Sequence, residues 1–402
     1  MKFEKQKISN LISEISMGPF GSNIKVDCFV DKGIPVLNGS NLDGFALKEE
    51  SFRFVTKEKA DSLGKANAHR GDVVITHRGT LGQIIFIPGN SLYDRYVISQ
   101  SQFRVRCNEK ILPEYLVYYF HTKIGQHKLL SNASQVGVPA LARASTTFQK
   151  LEIEVPDITA QQKIVSFLEI IRRKIEINTE INENLLQQTQ AIYREMFVNS
   201  HNELRQICRA NEYFDITIGK TPPRKEHQWF TTNPTDVTWV SISDMGNCGT
   251  YISRSSEQLT SEAINRFNIK IVPNNTVLLS FKLTVGRVAI TYGEMATNEA
   301  IAHFKTDKPF INEYLYCYLK NFNYQTMGST SSIATAVNSK IIKAMPFVVP
   351  TVEELSKFHA IAGPTFKKIL NNELENETLT KTRDTLLPRL MSGELDVSNL
   401  DI

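Results

Sequence analysis

Two basic side chains stand at the same place in two similar stretches of this chain. Gly71-Asp72-Val73-Val74-Ile75-Thr76-His77-Arg78-Gly79-Thr80-Leu81-Gly82-Gln83-Ile84 lines up with Asn275-Thr276-Val277-Leu278-Leu279-Ser280-Phe281-Lys282-Leu283-Thr284-Val285-Gly286-Arg287-Val288. Each reads as a strand, a polar loop carrying a base, a glycine and a second strand, which predicts a hairpin. On a projecting loop, Arg78 with Thr80, and Lys282 with Thr284, can reach a phosphate or the O6/N7 edge of guanine. A shorter match adds short donors and acceptors suited to base edges. Asn38, Ser40 and Asn41 follow the strand that begins at Gly33, and Ser241, Ser243 and Asp244 follow the one that begins at Asp236. Lys220, Thr221, Arg224 and Lys225 cluster as the second half begins. A solvated loop is the plainer reading of any one of these; recurrence in both halves singles out Arg78 and Lys282.

Covalent chemistry has no comparable candidate. The chain has no G-x-x-x-x-G-K-[ST] loop for ATP hydrolysis and no G-x-G-x-x-G after a strand for a dinucleotide or methyl donor. H-E-x-x-H, G-x-S-x-G and H-x-E…C-x-x-C are also missing. Thr221-Pro222-Pro223-Arg224 superficially resembles the N-P-P-[YF] loop of amino-methyltransferases, but lacks the leading Asn or Asp that orients an amine. His77 and His303 are lone histidines, more often structural than catalytic. Five scattered cysteines without C-x-x-C spacing suggest neither zinc nor a disulfide framework. An enzyme acting on single-stranded nucleic acid is therefore the weaker alternative to a binding protein.

The elements that position the loops are themselves repeated. Val155-Pro156-Asp157-Ile158-Thr159 opens one helical stretch and Val349-Pro350-Thr351-Val352-Glu353 opens another 194 positions on. Apolar residues then recur with 3-then-4 spacing: Ile164, Leu168, Ile171, Ile175, Leu185, Ile192 and Met196 in the first, and Phe358, Ala362, Ile369, Leu379, Leu386 and Leu390 in the second. That period predicts a coiled-coil partner. Two seam positions are asparagine in both copies, Asn178 and Asn182 against Asn372 and Asn376. They suggest a polar layer where antiparallel helices cross, and replacing Asn178 or Asn372 by Leu should then tighten association while loosening register. An unbroken helix of about 38 residues, ~57 Å long, is expected from Ala160 to Phe197. Gly363-Pro364 should split the second helix, leaving a short segment to Ala362 and a long one from Pro364 to Met391. Leu112-Pro113-Glu114-Tyr115 and Ile311-Asn312-Glu313-Tyr314 begin matching amphipathic helices, so the repeat embraces whole domains.

Size and composition agree with this reading. At 402 residues, 41% hydrophobic and 22% charged, the chain suits a globular protein of two or three domains. Residues 1–155 hold 20 basic and 15 acidic side chains, residues 199–350 hold 15 and 12, and the remainder, mostly helical, is net acidic within a total of +4. Basic lobes and acidic rods are weakly suggestive of nucleic-acid binding. The sequence lacks an apolar run near the ~18 residues that cross a bilayer, and Met1–Lys7 leads into no signal-peptide core, so a cytoplasmic location is expected.

Several motifs are similar to those of the specificity (S) subunits of type I restriction-modification enzymes. Val155-Pro156 through Gln161-Gln162-Lys163-Ile164-Val165 resembles that family's P-x-x-x-x-Q-x-x-I helix start, and Leu386-Leu387-Pro388-Arg389-Leu390-Met391-Ser392-Gly393-Glu394-Leu395 its C-terminal ending. Ile218-Gly219-Lys220-Thr221-Pro222 is similar to the Gly-x-Thr-Pro element that opens a recognition domain; Met17-Gly18-Pro19-Phe20-Gly21-Ser22 departs from it, as does Glu353-Glu354-Leu355 from the paired Gln. The resemblance implies an α+β chain of two mixed α/β target-recognition domains, 1–155 and 199–349, separated by two long antiparallel coiled-coil helices, 156–198 and 350–402 with the tail. It implies a non-catalytic chain whose lobes each read half of a bipartite duplex-DNA site while the helices set the spacing and dock two modification subunits. S-adenosylmethionine, ATP and Mg2+ would then belong to the methyltransferase and motor-nuclease partners, with none held by this chain. A stand-alone DNA-binding adaptor or a decoy specificity protein is the alternative.

Overall fold

The computed structural model describes residues 2–19, 21–134, 137–200, 202–308, 310–327 and 338–397, so Phe20 of the Met17–Ser22 element and the last five residues lie outside the described residues. The chain divides into two compact units, Met1–Lys174 with Leu379–Ile402, and Ile175–Thr378. The first is discontinuous in sequence and the second continuous, and each takes part of both long helices.

In the first unit a four-stranded antiparallel sheet runs in the order Ile12–Met17, Gln102–Cys107, Asp72–Thr76, Ile84–Phe86. A five-stranded mixed sheet is ordered Phe29–Val30, Arg53–Val55, Ile34–Val36, Arg95–Val97, Asn67–His69. The run Val73-Val74-Ile75 is apolar throughout because both faces of its strand are covered. Val73 and Ile75 pack with the helix Pro113–His121, while Val74 joins Leu37, Ile85 and Tyr96 on the other side.

The second unit repeats this plan. Its five-stranded sheet is ordered Asp215–Ile218, Ile301–Lys305, Val277–Ser280, Val288–Thr291, Tyr251–Ile252. A four-stranded sheet holds Phe230–Thr231, Glu257–Leu259, Val237–Val240 and Ala296–Thr297. Val277 and Leu279 face the helix Ile311–Asn321, and Leu278 faces Val240 and Met245. In each unit a two-stranded ribbon, Phe3–Lys7 with Glu152–Pro156 or Gln206–Arg209 with Pro346–Val349, leads into a long helix.

The first long helix spans Ile158–Tyr193 and closes in a π-type turn over Arg194–Asn199. Arg205 holds that end, donating to the carbonyls of Met196 (2.5 Å) and Phe197 (2.9 Å), where a helix presents its unpaired acceptors. The second spans Val352–Met391 without interruption, which corrects the break expected at Gly363-Pro364. Proline removes one intrahelical hydrogen bond, yet Phe358, Ala362 and Phe366 on both sides of it are buried in one core. Packing of the flanking turns outweighs the lost bond. At the far end Gly393 (φ +75°) turns the chain, and a Cβ there would meet the Phe3 ring at 2.6 Å.

Segments of the two helices run antiparallel within each unit. In the first, Ile164 and Leu168 are fully buried and share a core with Leu387 and Leu390 while Leu386 packs at its margin; Ile171 is buried and Leu379 half-buried. In the second, Ile369 is fully buried and Ile175 and Leu185 are half-buried. In the same unit Asn178 and Asn372, each 1% exposed, meet the half-buried Asn376 and Asn182. Asn178 Nδ2 donates to Asn376 Oδ1 (2.9 Å) and Glu375 Oε2 (2.8 Å), and Asn372 Nδ2 donates to Asn182 Oδ1 (2.8 Å). Asn182 and Asn376 in turn donate to the carbonyls of Ile369 (3.2 Å) and Ile175 (3.3 Å).

The helix starts are anchored differently. Asp157 Oδ1 accepts from Ala160 N (3.0 Å), and the fully buried Gln161 ties the first helix to the 110–112 loop through Lys110 O (2.9 Å) and Leu112 N (3.0 Å). The second helix, which lacks that glutamine, uses a capping box: Thr351 N donates to Glu354 Oε2 (3.0 Å) and Glu354 N to Thr351 Oγ1 (3.3 Å). Glu354 also pairs with Arg205 (2.7 Å). Burial alone would raise the Glu354 carboxyl, but hydrogen bonds from Arg205, Asn202 and Thr351 hold its pKa down at about 2.

The amide layer corrects the expectation for single leucine substitutions. Asn178→Leu leaves the Asn376 acceptor unmatched and should cost about 1–3 kcal/mol in urea unfolding, whereas Asn178→Leu with Asn376→Leu should recover most of it. Additive losses in that double-mutant cycle would mean the amides are not coupled. Because the Glu354 pKa is depressed, its contribution is complete above pH 4.5 and is lost as the pH falls toward 2. Glu354→Gln should therefore lower stability at pH 7 by about 2 kcal/mol, and its deficit relative to wild type should shrink across that acid window.

Candidate nucleic-acid interface

The hairpin loops of both units are closed by side chains at the strand ends. In the first, Thr76 N donates to Gln83 O (3.0 Å) and Thr76 Oγ1 to Gln83 Oε1 (3.0 Å). In the second, Ser280 N donates to Arg287 O (2.9 Å), Arg287 N to Ser280 Oγ (3.0 Å), and Ser280 Oγ to Thr284 O (2.5 Å). Both loops use left-handed backbone twice, at Gly79 (φ +93°) and Gly82 (φ +90°), and at Leu283 (φ +61°) and Gly286 (φ +92°).

These closures leave the tips in solvent. Arg78 and Thr80 are exposed, and Arg78 forms no ion pair among the described residues. The ribbon of Ala133–Ser134 with Ala140–Leu141 braces this loop, with Gly79 N donating to Pro139 O (2.9 Å) and Leu141 N to His77 O (2.8 Å). Lys282 and Thr284 are likewise exposed, and Lys282 Nζ lies 5.7 Å from the ring of the buried Phe281. Two further residues belong here that the sequence did not single out. Arg143 is exposed and left-handed (φ +48°) two residues beyond the brace, and Leu283 is 96% exposed between Lys282 and Thr284. Neither carried a sequence signal, since backbone sign and exposure belong to the folded loop.

The turn residues have a different job from the one their type suggested. Asn38 N donates to Asn41 Oδ1 (2.9 Å), Ser40 N to Asn38 Oδ1 (2.8 Å), and Asn41 Nδ2 to the carbonyls of Lys48 (2.9 Å) and Glu50 (2.8 Å). Asn41 is fully buried, so it organises the turn and has no face for a base edge. Asn38 is half-buried and Ser40 exposed, though Ser40 Oγ donates to Asn38 Oδ1 (2.5 Å). In the second unit Ser241 and Asp244 form the same reciprocal cap, Ser241 N donating to Asp244 Oδ2 (2.8 Å) and Asp244 N to Ser241 Oγ (3.2 Å). Burial opposes the Asp244 carboxylate, but hydrogen bonds from Ser241 and Ser256 hold its pKa below the usual value. Ser243, inside the capped turn, remains exposed.

The basic cluster after Ile218 is also largely engaged. Lys220 Nζ donates to Phe267 O (2.6 Å), and Thr221 Oγ1 donates to Glu299. The Arg224 guanidinium lies over Phe230 (4.3 Å) and Trp239 (4.5 Å) and pairs with Glu257 (2.7 Å). Lys225 is exposed. Neither histidine is set up as a base. His303 is fully buried between Thr217 Oγ1 (3.0 Å) and Thr297 Oγ1 (2.7 Å), and burial pushes its pKa down to about 3. His77 Nε2 lies 3.1 Å from Gln100 O, and burial lowers its pKa too. Among the described residues there is no group of three or more His, Cys, Asp or Glu able to hold a metal, and no helix is long and apolar enough to cross a membrane.

Two α+β units, each presenting a braced basic loop and both built on the same pair of helices, define a duplicated recognition protein. The family model for type I restriction modification DNA specificity domains matches residues 21–187 and again 203–381, and the chain belongs to that family of non-catalytic specificity subunits. It is 23% identical over 406 residues to the type I restriction enzyme HindI specificity subunit of Haemophilus influenzae, covering 81% of this chain and 87% of that one. It is 25% identical over 393 residues to the MjaIX specificity subunit of Methanocaldococcus jannaschii, covering 90% and 83%. The crystal structure of the type I restriction-modification S subunit from M. genitalium shares the fold, with TM-score 0.56, 15% identity, and 97% and 96% of the two chains covered.

The stacking of Arg224 makes its role separable from charge. Arg224→Ala should lower the urea stability of the second unit by about 1–2 kcal/mol, and Arg224→Lys should recover little of it, because the planar guanidinium makes the double aromatic contact.

Proposed function

We propose that each unit carries one recognition domain, 1–155 or 199–349, and that each domain reads one half of a bipartite, asymmetric duplex-DNA site. Arg78 with Thr80 would contact one half-site and Lys282 with Thr284 the other. The observation that carries this reading is the pair of clamped loops: the same closure and the same two left-handed positions present different side chains. A rigid loop loses little freedom on docking, so its donors can discriminate between bases. Arg143 adds a second exposed base beside the first loop.

The helices 156–198 and 350–402 would set the half-site spacing and dock two modification subunits. Support comes from isoleucines left in water on a helix already packed along its seam, with Ile177 51% exposed and Ile181 one turn further on 37% exposed. Such apolar positions suit a protein partner. The methyl donor S-adenosylmethionine would be held by those methyltransferase subunits, and ATP with Mg2+ by motor-nuclease subunits, with the assembly acting in the cytoplasm.

Alanine at either loop tests the reading in the assembled methyltransferase. Arg78→Ala should weaken discrimination at base pairs of one half-site by about 1–3 kcal/mol each, and Lys282→Ala should do so only in the other. Methylation rates on duplexes mutated one base pair at a time report this. Equal effects of either variant on both halves would defeat the assignment of one unit to one half-site.

A further inference from the structure

Leu283 occupies a place that its own chemistry does not favour. It sits in the left-handed region (φ +61°), where glycine is the unstrained residue and the equivalent loop of the first unit has Gly79. Its side chain is 96% exposed, more than any other large hydrophobic residue described. The loop beneath it is fixed. Phe281 is buried and its N–H donates to Ala300 O (2.9 Å), Ser280 ties together Thr284 and Arg287, and Gly286 N donates to Ser280 O (3.0 Å). A strained backbone and an unshielded leucine both work against stability, and neither is relieved within the chain. Strain of this kind at a rigid tip marks a functional contact.

Its neighbours indicate the occupant. Lys282 and Thr284, both exposed, flank Leu283 with hydrogen-bonding groups of opposite size and reach. An apolar side chain set between polar donors matches the major-groove edge of a base pair, where the only apolar feature is the 5-methyl group of thymine. We infer that Leu283 packs against a thymine 5-methyl group in the half-site read by the second unit, an inference that rests on the DNA-reading role proposed above. The first unit, with Gly79 at this position, makes no such contact, so the two half-sites are read by unlike chemistry from like loops. Leu283 is thus a specificity-determining residue.

The test uses the full chain assembled with its methyltransferase subunits and target duplexes in which each thymine in turn is replaced by deoxyuridine, which removes only the methyl group. Binding is read by fluorescence anisotropy. For the wild type, deoxyuridine at one position of one half-site should weaken binding about 3- to 10-fold, the scale of one lost apolar contact. Leu283→Gly should bind the thymine duplex as weakly as the wild type binds that deoxyuridine duplex, lose sensitivity at that position alone, and melt no lower than wild type. A flat wild-type scan, or a deoxyuridine penalty that persists in Leu283→Gly, would overturn the inference. A wild-type complex with no preference for the target over a scrambled duplex would instead overturn the underlying DNA-reading role.

Discussion

Side-chain amides buried between hydrophobic helices accept only one register. Asn178 and Asn372 are each 1% exposed, and each finds an asparagine partner across the helix pair in the second unit. Sliding one helix by a turn in either direction would keep only one asparagine pair and set the other two amides against lysine, threonine or leucine, at about 1–3 kcal/mol for each unmatched group. An all-aliphatic seam would have no such preference, since isoleucine and leucine knobs fit neighbouring holes almost equally well. The asparagines thus exchange some packing energy for a single alignment. The recognition sheet is tied to that alignment, because Glu373 of the same helix accepts from Thr250 N (2.8 Å) and Tyr251 N (3.0 Å) at the sheet's edge.

Duplication has preserved physical roles more faithfully than residues. An aspartate cap and a buried glutamine begin one helix, and a Thr351–Glu354 box with an arginine partner begins the other. At matched positions of the central strand pairs stand Arg104, paired with Glu14 (3.1 Å) and Asp72 (3.4 Å), and His303, held neutral between two threonines. Both hold a polar group inside the sheet layer, Arg104 by ion pairs and a hydrogen bond to Lys65 O (2.9 Å), His303 by hydrogen bonds to uncharged groups. What differs without compensation is the loop tip. There a glycine in one unit is a leucine in the other, on backbone of the same left-handed sign.

Periodicity made the helices legible, because 3-then-4 spacing has one simple structural solution, and the asparagine coincidence pointed to the layer they form. The two hairpins were legible for a similar reason: central strands covered on both faces are apolar without interruption. Gly363-Pro364 misled, since local propensity cannot weigh the cores that hold Phe358 and Phe366 on either side. Asn41 and Asp244 misled differently. Short polar side chains in turns serve capping and base recognition equally well by type, and only their partners, Asn38 and Ser241, decide between the two. Arg224 belongs with them, its charge visible in sequence and its seat over Phe230 and Trp239 not.

Those engagements also give the modest net charge of +4 a meaning. Many arginines are matched inside their own unit: Arg70 with Asp94, Arg95 with Asp61, Arg104 and Arg106 with Asp72 and Glu14, Arg205 with Glu354, Arg224 with Glu257. Matched charges contribute little to the attraction of a phosphate backbone, which scales with the counterions released by unpaired cations. What remains toward solvent at the loop tips is sparse: Arg78 and Arg143 in one unit, Lys282 in the other. A surface so provided should hold non-specific DNA weakly. On the reading proposed above, discrimination would then come from where a few groups are held, and clamped loops suit that task. On the proposed reading, weak general attraction and rigid local presentation would be two aspects of one arrangement, in which the shape of the loop carries the specificity and the bulk charge very little.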